Sequence, residues 1–165
     1  MAYIIDGKAI AEELNEDARV RAEALRARGI EPCLAVVIAG DDPGSAIYVR
    51  NKRRACKKIG IKSLYVKYEA DVSEEELLAK IDELNEDPSV HSILVQLPLP
   101  DHIDELKALD RIRPEKDADG FHVVNAGKLL SGRPCTLPCT PAGCMVLLKR
   151  AGVPLSGAEA VVVGR

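Results

Sequence analysis

Three short strand-like segments are spaced along the first two thirds of the chain. Residues 34–39 are continuously apolar. Residues 61–68 and residues 90–96 are two further strand-like segments, in which apolar residues alternate with some polar ones. Short runs with many apolar and β-branched residues are typical of strands covered on both faces. The sequence Leu97-Pro98-Leu99-Pro100 ends the third segment, because proline has no N–H for a strand ladder. The pattern therefore predicts three strands, of which the run at residues 34–39 is expected to be buried on both faces.

Helical patterns fill the segments around these strands. The first runs from the predicted N-cap Asp6 through Arg28 to a stop at Gly29. An Asp-Pro-Gly turn introduces the second, which ends near Gly60, and a capping box that begins at Ser73 introduces the third. Shorter helices are predicted over residues 103–109 and 142–151.

Strands that alternate with helices predict an α/β fold, built from βαβ units around a parallel sheet. Ligands of such sheets bind beyond the carboxyl ends of the strands. The first strand runs out into Gly40-Asp41-Asp42, and the third runs out into Gln96. These two strand ends are predicted to meet at one rim.

The domain organisation is predicted from a change in composition. Residues 113–140 are rich in proline and glycine, which favours an irregular crossing between domains. Residues 161–163 are three valines and predict a further strand, in front of Gly164 and Arg165. We therefore expect a first domain over residues 1–120, and over residues 121–165 a crossover and the start of a second domain.

Composition and charge narrow the classes of function. The chain has 165 residues, a net charge of -3, 47% hydrophobic residues and 3% aromatic residues, so its core must be aliphatic. The acidic balance argues against a nucleic-acid-binding protein. We expect no membrane span and no signal peptide, which makes the cytosol the default location.

The cysteines and histidines do not predict a metal site. The five cysteines are an odd number and lack Cys-x-x-Cys spacing, and the three histidines are scattered. Reduced, buried or incidental thiols are the better interpretation. We therefore expect no bound metal.

Tyr48 and Lys52 form the most informative pair of side chains. They lie one turn apart on the second predicted helix, so they share a face. A phenol beside an amine suits proton handling, because loss of water around a lysine generally favours its neutral form. At about 100° per residue, Tyr48 and Lys52 lie on the inward apolar stripe, and Lys52 is thereby separated from its basic neighbours. A side chain that snorkels to water is the competing interpretation.

Gln96 and Asp119 are the candidate companions of this pair. Gln96 follows the third strand and can accept a hydrogen bond from a lysine amine. Asp119 precedes a glycine in a stiff turn, where it can present a carboxylate to a ligand. The competing interpretations are a strand-end cap for Gln96 and a turn-stabilising residue for Asp119.

Short motifs occur in a characteristic order along the whole chain. They are Ile5-Asp6-Gly7-Lys8, Gly40-x-Asp42-Pro43-x-Ser45-x-x-Tyr48-Val49-x-x-Lys52, Val95-Gln96-Leu97-Pro98-Leu99-Pro100, Pro114-x-Lys116-Asp117-x-Asp119-Gly120-Phe121, Pro138-Cys139-Thr140-Pro141-x-Gly143 and Val161-Val162-Val163-Gly164-Arg165. The ordered set resembles the bifunctional methylenetetrahydrofolate dehydrogenase/methenyltetrahydrofolate cyclohydrolase family of folate one-carbon metabolism.

The resemblance implies a role for each candidate residue. Lys52 corresponds to the family's catalytic lysine, Tyr48 to the tyrosine that packs against the folate, and Gln96 to the glutamine that orients the lysine. Asp119 corresponds to the carboxylate that binds the polar edge of the pterin. Leu97 and Pro98 belong to a rigid wall of the folate cleft.

The resemblance also implies NADP as the cofactor, tetrahydrofolate derivatives as substrates and a homodimer in the full-length form. The substrates include polyglutamylated forms. From the residues themselves we hypothesise that the basic side chains of the second helix attract the glutamate tail. Gly164 and Arg165 correspond to the start of the turn that contacts NADP. The sequence stops there, so we expect a truncated start of a Rossmann-like domain and a loss of dehydrogenase turnover in this polypeptide.

Three other functions compete with this interpretation. Tyr-x-x-x-Lys is also the signature of short-chain dehydrogenases, but the first strand here is not followed by their glycine-rich loop. A non-catalytic folate-binding module would bind the substrate without turnover. Nucleic-acid binding through the basic run of residues 50–58 is disfavoured by the low aromatic content.

Overall fold

A computed structural model describes residues 4–163 and confirms the predicted α/β class. The strands are β1 (Cys33–Ala39), β2 (Lys62–Tyr68) and β3 (Ser92–Val95). The helices are α1 (Gly7–Ala27), α2 (Pro43–Ile59), α3 (Glu74–Glu86), α4 (Glu105–Arg111), α5 (Val123–Leu130) and α6 (Cys139–Arg150).

The three strands form a parallel sheet in the order β2-β1-β3. Val36 in the central strand is paired with Tyr65 on one side and Leu94 on the other. Beyond β3, the Gln96 N–H donates to the Val37 carbonyl at 2.8 Å. The carboxyl ends of β1 and β3 therefore meet at one rim, as predicted.

The core lies on both faces of β1, because successive side chains of a strand point to opposite faces. Ala35 and Val37 pack with Leu77 and Ile81 of α3 in the larger cluster. Val36 and Ile38 face the other way and pack with Val49 of α2, together with Leu94. Burial on both faces explains why the run at residues 34–39 contains no polar side chain.

Side-chain caps fix where the helices begin, and the sequence predicts most of them. Asp6 accepts hydrogen bonds from the N–H groups of Lys8 and Ala9. Ser73 accepts from the Glu76 N–H at 3.1 Å, as expected of a capping box. Asp42 caps α2 through the Ser45 N–H at 2.6 Å. The predicted starts of α1 and α3 are confirmed.

Helix α5 lies in the segment that was predicted to be irregular. Its sequence contains adjacent valines and a glycine, which have low helix propensity. A local cap and contacts outside the helix stabilise it instead: the His122 ring nitrogen Nδ1 accepts from the Val124 N–H at 3.0 Å, and the buried Asn125 donates to the Pro114 carbonyl at 2.8 Å. The prediction of an irregular segment over residues 113–140 is wrong at this helix.

The strand predicted at residues 161–163 is also wrong for the part of the chain that the structure describes. Val161, Val162 and Val163 have no strand partner there, and they are 89%, 90% and 94% exposed. A strand needs a neighbour to receive its backbone hydrogen bonds, so apolar composition alone does not form one. Gly164 and Arg165 lie outside the described residues.

Across residues 4–163 no helix combines the length and the apolar character that crossing a membrane requires.

Candidate functional site

Lys52 and Gln96 are joined by a direct hydrogen bond at the rim of the sheet. The Lys52 ammonium nitrogen Nζ donates to Gln96 Oε1 at 3.2 Å. The other end of the Gln96 amide is also fixed, because Nε2 donates to the Leu97 carbonyl at 2.8 Å. Ser45 Oγ donates to the same carbonyl at 3.2 Å, which ties the start of α2 to this loop. The lysine is therefore held by a glutamine whose own orientation is fixed.

The position of Lys52 on α2 follows from which face of that helix is buried. Ser45, Val49 and Cys56 form the buried line, with Val49 only 2% exposed. Lys52 is offset from this line by a fraction of a turn, so it is half-buried at the flank. Tyr48 is 65% exposed, which corrects its expected place on an inward apolar stripe. Tyr48 precedes Val49 of the buried line by one residue, which is about 100° around the helix. Its side chain therefore lines the open cleft.

Asp119 lies in the same cleft as Lys52. Burial raises the pKa of the Asp119 carboxyl above its usual range, the positive charge of Lys52 opposes that rise, and Asp117 adds to it. Among the described residues Lys52 forms its hydrogen bond with Gln96 rather than an ion pair with Asp119. The carboxylate of Asp119 is thus left available for a ligand.

These side chains surround one cleft of about 630 Å³. Tyr48, Lys52, Gln96 and Asp119 supply its polar groups, and the remaining wall is mostly apolar. That wall consists of Leu34, Ala55, Cys56, Ile59, Leu94, Ala118, Phe121 and residues 138–141. An apolar cleft with a few convergent polar groups is the usual form of a small-molecule site.

Leu97 and Pro98 are placed beside the cleft rather than in its lining. The Leu97 side chain packs against the larger core cluster, and Pro98 is exposed. The peptide bond between them is cis. Leu97 contributes through its carbonyl, which holds Gln96 and Ser45 as described above.

Asp117 is a residue of the site whose importance sequence reasoning missed. It is 4% exposed and accepts hydrogen bonds from the Gly120 N–H at 3.0 Å, the His122 N–H at 3.0 Å and Asn125 Nδ2 at 2.9 Å. These bonds fold residues 117–122 into the turn that carries Asp119. The available signal was an aspartate three residues before a glycine, a pattern that favours a side-chain-stabilised turn.

Lys116 fixes the segment that precedes this turn. Its ammonium donates to the carbonyls of Leu84, Asn85 and Asp87 at 2.8–3.0 Å, at the end of α3. The Lys116 carbonyl accepts at 2.7 Å from the N–H of Ile93, which is part of β3. The motif around Asp119 is therefore attached to both α3 and the sheet.

Within residues 4–163 no group of three or more histidine, cysteine, aspartate or glutamate side chains is arranged to hold a metal ion.

Known proteins are similar to this chain over the segment that contains these site residues. The family model described as tetrahydrofolate dehydrogenase/cyclohydrolase, catalytic domain, matches residues 5–119. The bifunctional protein FolD of Bordetella petrii is 56% identical over 163 residues, which are 99% of this chain and 55% of that protein. The chain thus spans about half the length of the curated relatives it matches.

Two solved structures have the same arrangement of the chain. The bifunctional FolD methylenetetrahydrofolate dehydrogenase/cyclohydrolase of Campylobacter jejuni gives a TM-score of 0.96 at 46% identity, over 99% of this chain and 58% of that one. The methylenetetrahydrofolate dehydrogenase-cyclohydrolase of Trypanosoma brucei gives 0.89 at 40% identity, over 94% of this chain and 54% of that one.

Proposed function

The chain belongs to the tetrahydrofolate dehydrogenase/cyclohydrolase family, and we propose that it provides the folate-side catalytic domain for the family's two consecutive reactions. These reactions are the oxidation of 5,10-methylenetetrahydrofolate with NADP and the hydrolysis of the 5,10-methenyl product to 10-formyltetrahydrofolate. The observation that carries the proposal is the hydrogen bond between Lys52 and Gln96 beside Asp119 in one cleft.

The proposed substrates are tetrahydrofolate derivatives, polyglutamylated forms included. Asp119 would accept hydrogen bonds from the polar edge of the pterin, for which a half-buried carboxylate is well suited. The exposed ring of Tyr48 would pack against the flat part of the substrate. Leu97 and Pro98 would shape the rim next to it. The apolar remainder of the cleft supports such a ligand because it removes water from around the reacting carbon.

The hydrolytic step is assigned to Lys52. Water adds to the methenyl carbon, Lys52 transfers one proton of that water to N5 as the bond from the carbon to N5 breaks, and the second proton is released to solvent, which leaves the formyl group on N10. Gln96 holds the amine in place through its Oε1. A positioned base of this kind contributes about 10²–10⁴-fold in rate.

The oxidation step would use NADP, which accepts a hydride from the methylene carbon when it is bound. The Trypanosoma brucei neighbour is described as complexed with NADP. In the described part of this chain the starts of α2, α3 and α4 are capped by Asp42, Ser73 and Asp104, and the start of α6 has no side-chain cap. Gly164 and Arg165, proposed for the cofactor, lie outside that part, and we derive no step through NADP.

The proposed division of the chain places the folate-side domain at residues 1–120 and the crossover at residues 121–165. The end of the family match at residue 119 supports it. The proposed setting is the cytosol, in one-carbon transfer to purine, histidine and methionine biosynthesis. The proposed assembly is a homodimer of the full-length form. The resemblance of the motifs supports these last points.

Replacement of the lysine tests the proposal. Lys52→Met should lower the rate of methenyltetrahydrofolate hydrolysis by at least about 100-fold, because the base is removed. The rate is measured by the loss of the methenyl absorbance, and folate affinity is measured separately by titration. Lys58→Met is the matched control, since Lys58 lies on the same helix and outside the cleft.

Two outcomes would contradict the proposal. Unchanged hydrolysis by Lys52→Met would remove Lys52 from its role. Folate binding by the unmodified chain without any hydrolysis would favour a non-catalytic folate-binding module.

A further inference from the structure

A second concave surface lies on the opposite side of α2 from the folate cleft. It is a groove of about 570 Å³ between α2 and the strand β2, lined by Arg53, Arg54, Lys57, Ile61 and Ser63. We refer to it as the basic groove. β2 forms the outer edge of the described sheet, so the groove is open to solvent on that side.

The basic groove concentrates positive charge without a counter-charge. No carboxylate lines it, and within residues 4–163 none of Arg53, Arg54 and Lys57 forms an ion pair. Other cations of the described surface are paired with carboxylates, as Arg111 is with Asp82, but these three lie side by side without one. Neighbouring like charges repel each other, so an anion bound here would relieve an unfavourable interaction.

Two further contacts give the basic groove a defined shape. The Arg53 guanidinium carbon lies 4.5 Å from the centre of the Tyr65 ring, a cation–π contact that holds the side chain over β2. Ser63 Oγ is the buried side-chain oxygen that has no hydrogen-bond partner among the described residues. A buried hydroxyl without a partner is unfavourable, and a carboxylate can accept its hydrogen. The groove therefore combines one fixed guanidinium and two further cations with an unused donor.

Carboxylates fit this arrangement better than nucleic acid does. The chain is acidic overall, with a net charge of -3, and only 3% of its residues are aromatic, which disfavours a nucleic-acid surface. Arg53, Arg54 and Lys57 spread their charges over one turn of helix, which suits several carboxylates along a flexible chain. The γ-linked glutamate tail of a polyglutamylated folate carries one carboxylate with each added residue.

The distance from the folate cleft to the basic groove is within reach of such a tail. Tyr48, at the open side of the cleft, precedes Arg53 by five residues, which is about 7.5 Å along the helix axis at 1.5 Å per residue. A helix is about 10 Å wide, and an extended chain advances up to about 3.5 Å per residue. A tail of several glutamates therefore spans α2 from one side to the other.

We propose that the basic groove formed by Arg53, Arg54, Lys57 and Ser63 binds clustered carboxylates, and that its ligand is the polyglutamate tail of the substrate. The identity of the tail rests on the proposed function above. The affinity of the groove for carboxylates does not, because it depends only on residues outside the folate cleft.

The test compares ligands with and without the tail on the intact chain. Binding of 5-formyltetrahydrofolate monoglutamate, its pentaglutamate and free γ-pentaglutamate is measured by calorimetric titration. The variant Arg53→Gln/Arg54→Gln is compared with Arg50→Gln/Lys58→Gln, which removes the same charge from α2 outside the groove. Both pairs of residues lie outside the proposed catalytic machinery.

We expect the pentaglutamate to bind about tenfold more tightly than the monoglutamate, which corresponds to about 1.4 kcal/mol. The groove variant should lose this advantage, and the control should keep most of it. Monoglutamate affinity should be the same in all proteins. Higher salt should reduce the advantage, because exposed charges are screened over about 8 Å at physiological ionic strength.

Equal affinity of the wild-type chain for both folates, with no binding of free γ-pentaglutamate, would overturn the proposal. Equal losses in the two variants would overturn it as well, because the tail would then respond to the overall positive charge of α2 and not to the groove. Groove-dependent binding of free γ-pentaglutamate alone would support the carboxylate site, with a separate polycarboxylate as its source. Failure of the monoglutamate to bind at all would count against the proposed function instead, since free γ-pentaglutamate does not need the cleft.

Discussion

Asp119 illustrates at the residue scale how a ligand-binding group can oppose stability. Burial raises the pKa of its carboxyl, so the folded protein holds this proton up to a higher pH than the unfolded chain does. Between those two pH values the folded form binds the extra proton, and the free energy of unfolding falls as the pH rises. Above both pH values the charged Asp119 carboxylate lowers the free energy of unfolding by its full amount.

Asp119→Asn is therefore expected to raise the melting temperature at neutral pH, by at most about 3 °C for a chain of this size. The difference should disappear below about pH 3, where an ordinary aspartate is protonated. Thermal unfolding followed by circular dichroism from pH 3 to pH 8 measures it. Asp101→Asn, on the exposed surface, is the control. A variant that is less stable than the wild-type chain at pH 7 would contradict this account.

Asp117 has the opposite effect, because its buried carboxylate satisfies the Gly120 N–H, the His122 N–H and the Asn125 amide. Asp117→Ala leaves these donors without an acceptor and should lower the free energy of unfolding by about 3 kcal/mol. Urea denaturation measures the change. Asp101→Ala should stay within about 0.5 kcal/mol. A loss below about 1 kcal/mol for Asp117→Ala would show that the turn does not depend on this carboxylate.

At the scale of elements, the turn at Gly120 connects the Asp119 motif to the segment that leads into α6. Gly120 has a φ of +69°, and a Cβ placed there would lie 2.8 Å from the Thr136 carbonyl oxygen. Gly132 has a φ of +67° with no atom within 4 Å of such a Cβ. The two glycines thus share a backbone conformation and differ in their surroundings.

Gly120→Ala should therefore cost about 2 kcal/mol more than Gly132→Ala, because only the first adds a steric clash to the cost of positive φ. Chemical denaturation of both variants gives the comparison. Gly120→Ala should also weaken folate binding, since Pro138 of the displaced segment lines the cleft. Equal destabilisation by the two substitutions would mean that the segment around Thr136 shifts freely.

At the scale of the whole molecule, the three valines at residues 161–163 lie outside the packed core of the described chain. They are 89–94% exposed, so their replacement removes little buried apolar surface. Simultaneous substitution of Val161, Val162 and Val163 by serine should change the melting temperature by less than about 1 °C. Light scattering at high protein concentration should decrease, because an exposed apolar patch favours association.

Val95→Ser is the matched control for this triple variant, since Val95 is 3% exposed in β3. It should destabilise the fold by at least about 1 kcal/mol through the burial of an added hydroxyl group. A comparable loss from the valines at residues 161–163 would show that they pack against the core in solution.

An element was predicted correctly where its local sequence pattern matches the contacts that stabilise it. The run at residues 34–39 and the caps Asp6 and Ser73 act through neighbours in sequence, so the local pattern was sufficient to predict them. Helix α5 has weak intrinsic propensity and a histidine cap in place of the usual Ser, Thr, Asp or Asn, so its local pattern gave no helix signal; His122 caps it and the buried Asn125 binds Asp117. The valines at residues 161–163 have strand-like composition but no strand partner in the described chain.

The sequence by itself determined the α/β class, the rim where β1 and β3 end, and the membership of the motifs in one family, because these depend on local periodicity and on the order of residues. Only the tertiary structure decided that Gln96 holds Lys52 at 3.2 Å and that Tyr48 is exposed. Those facts depend on contacts between residues far apart in the chain. Distance and burial across such contacts are fixed by packing, to which spacing along the sequence is no guide.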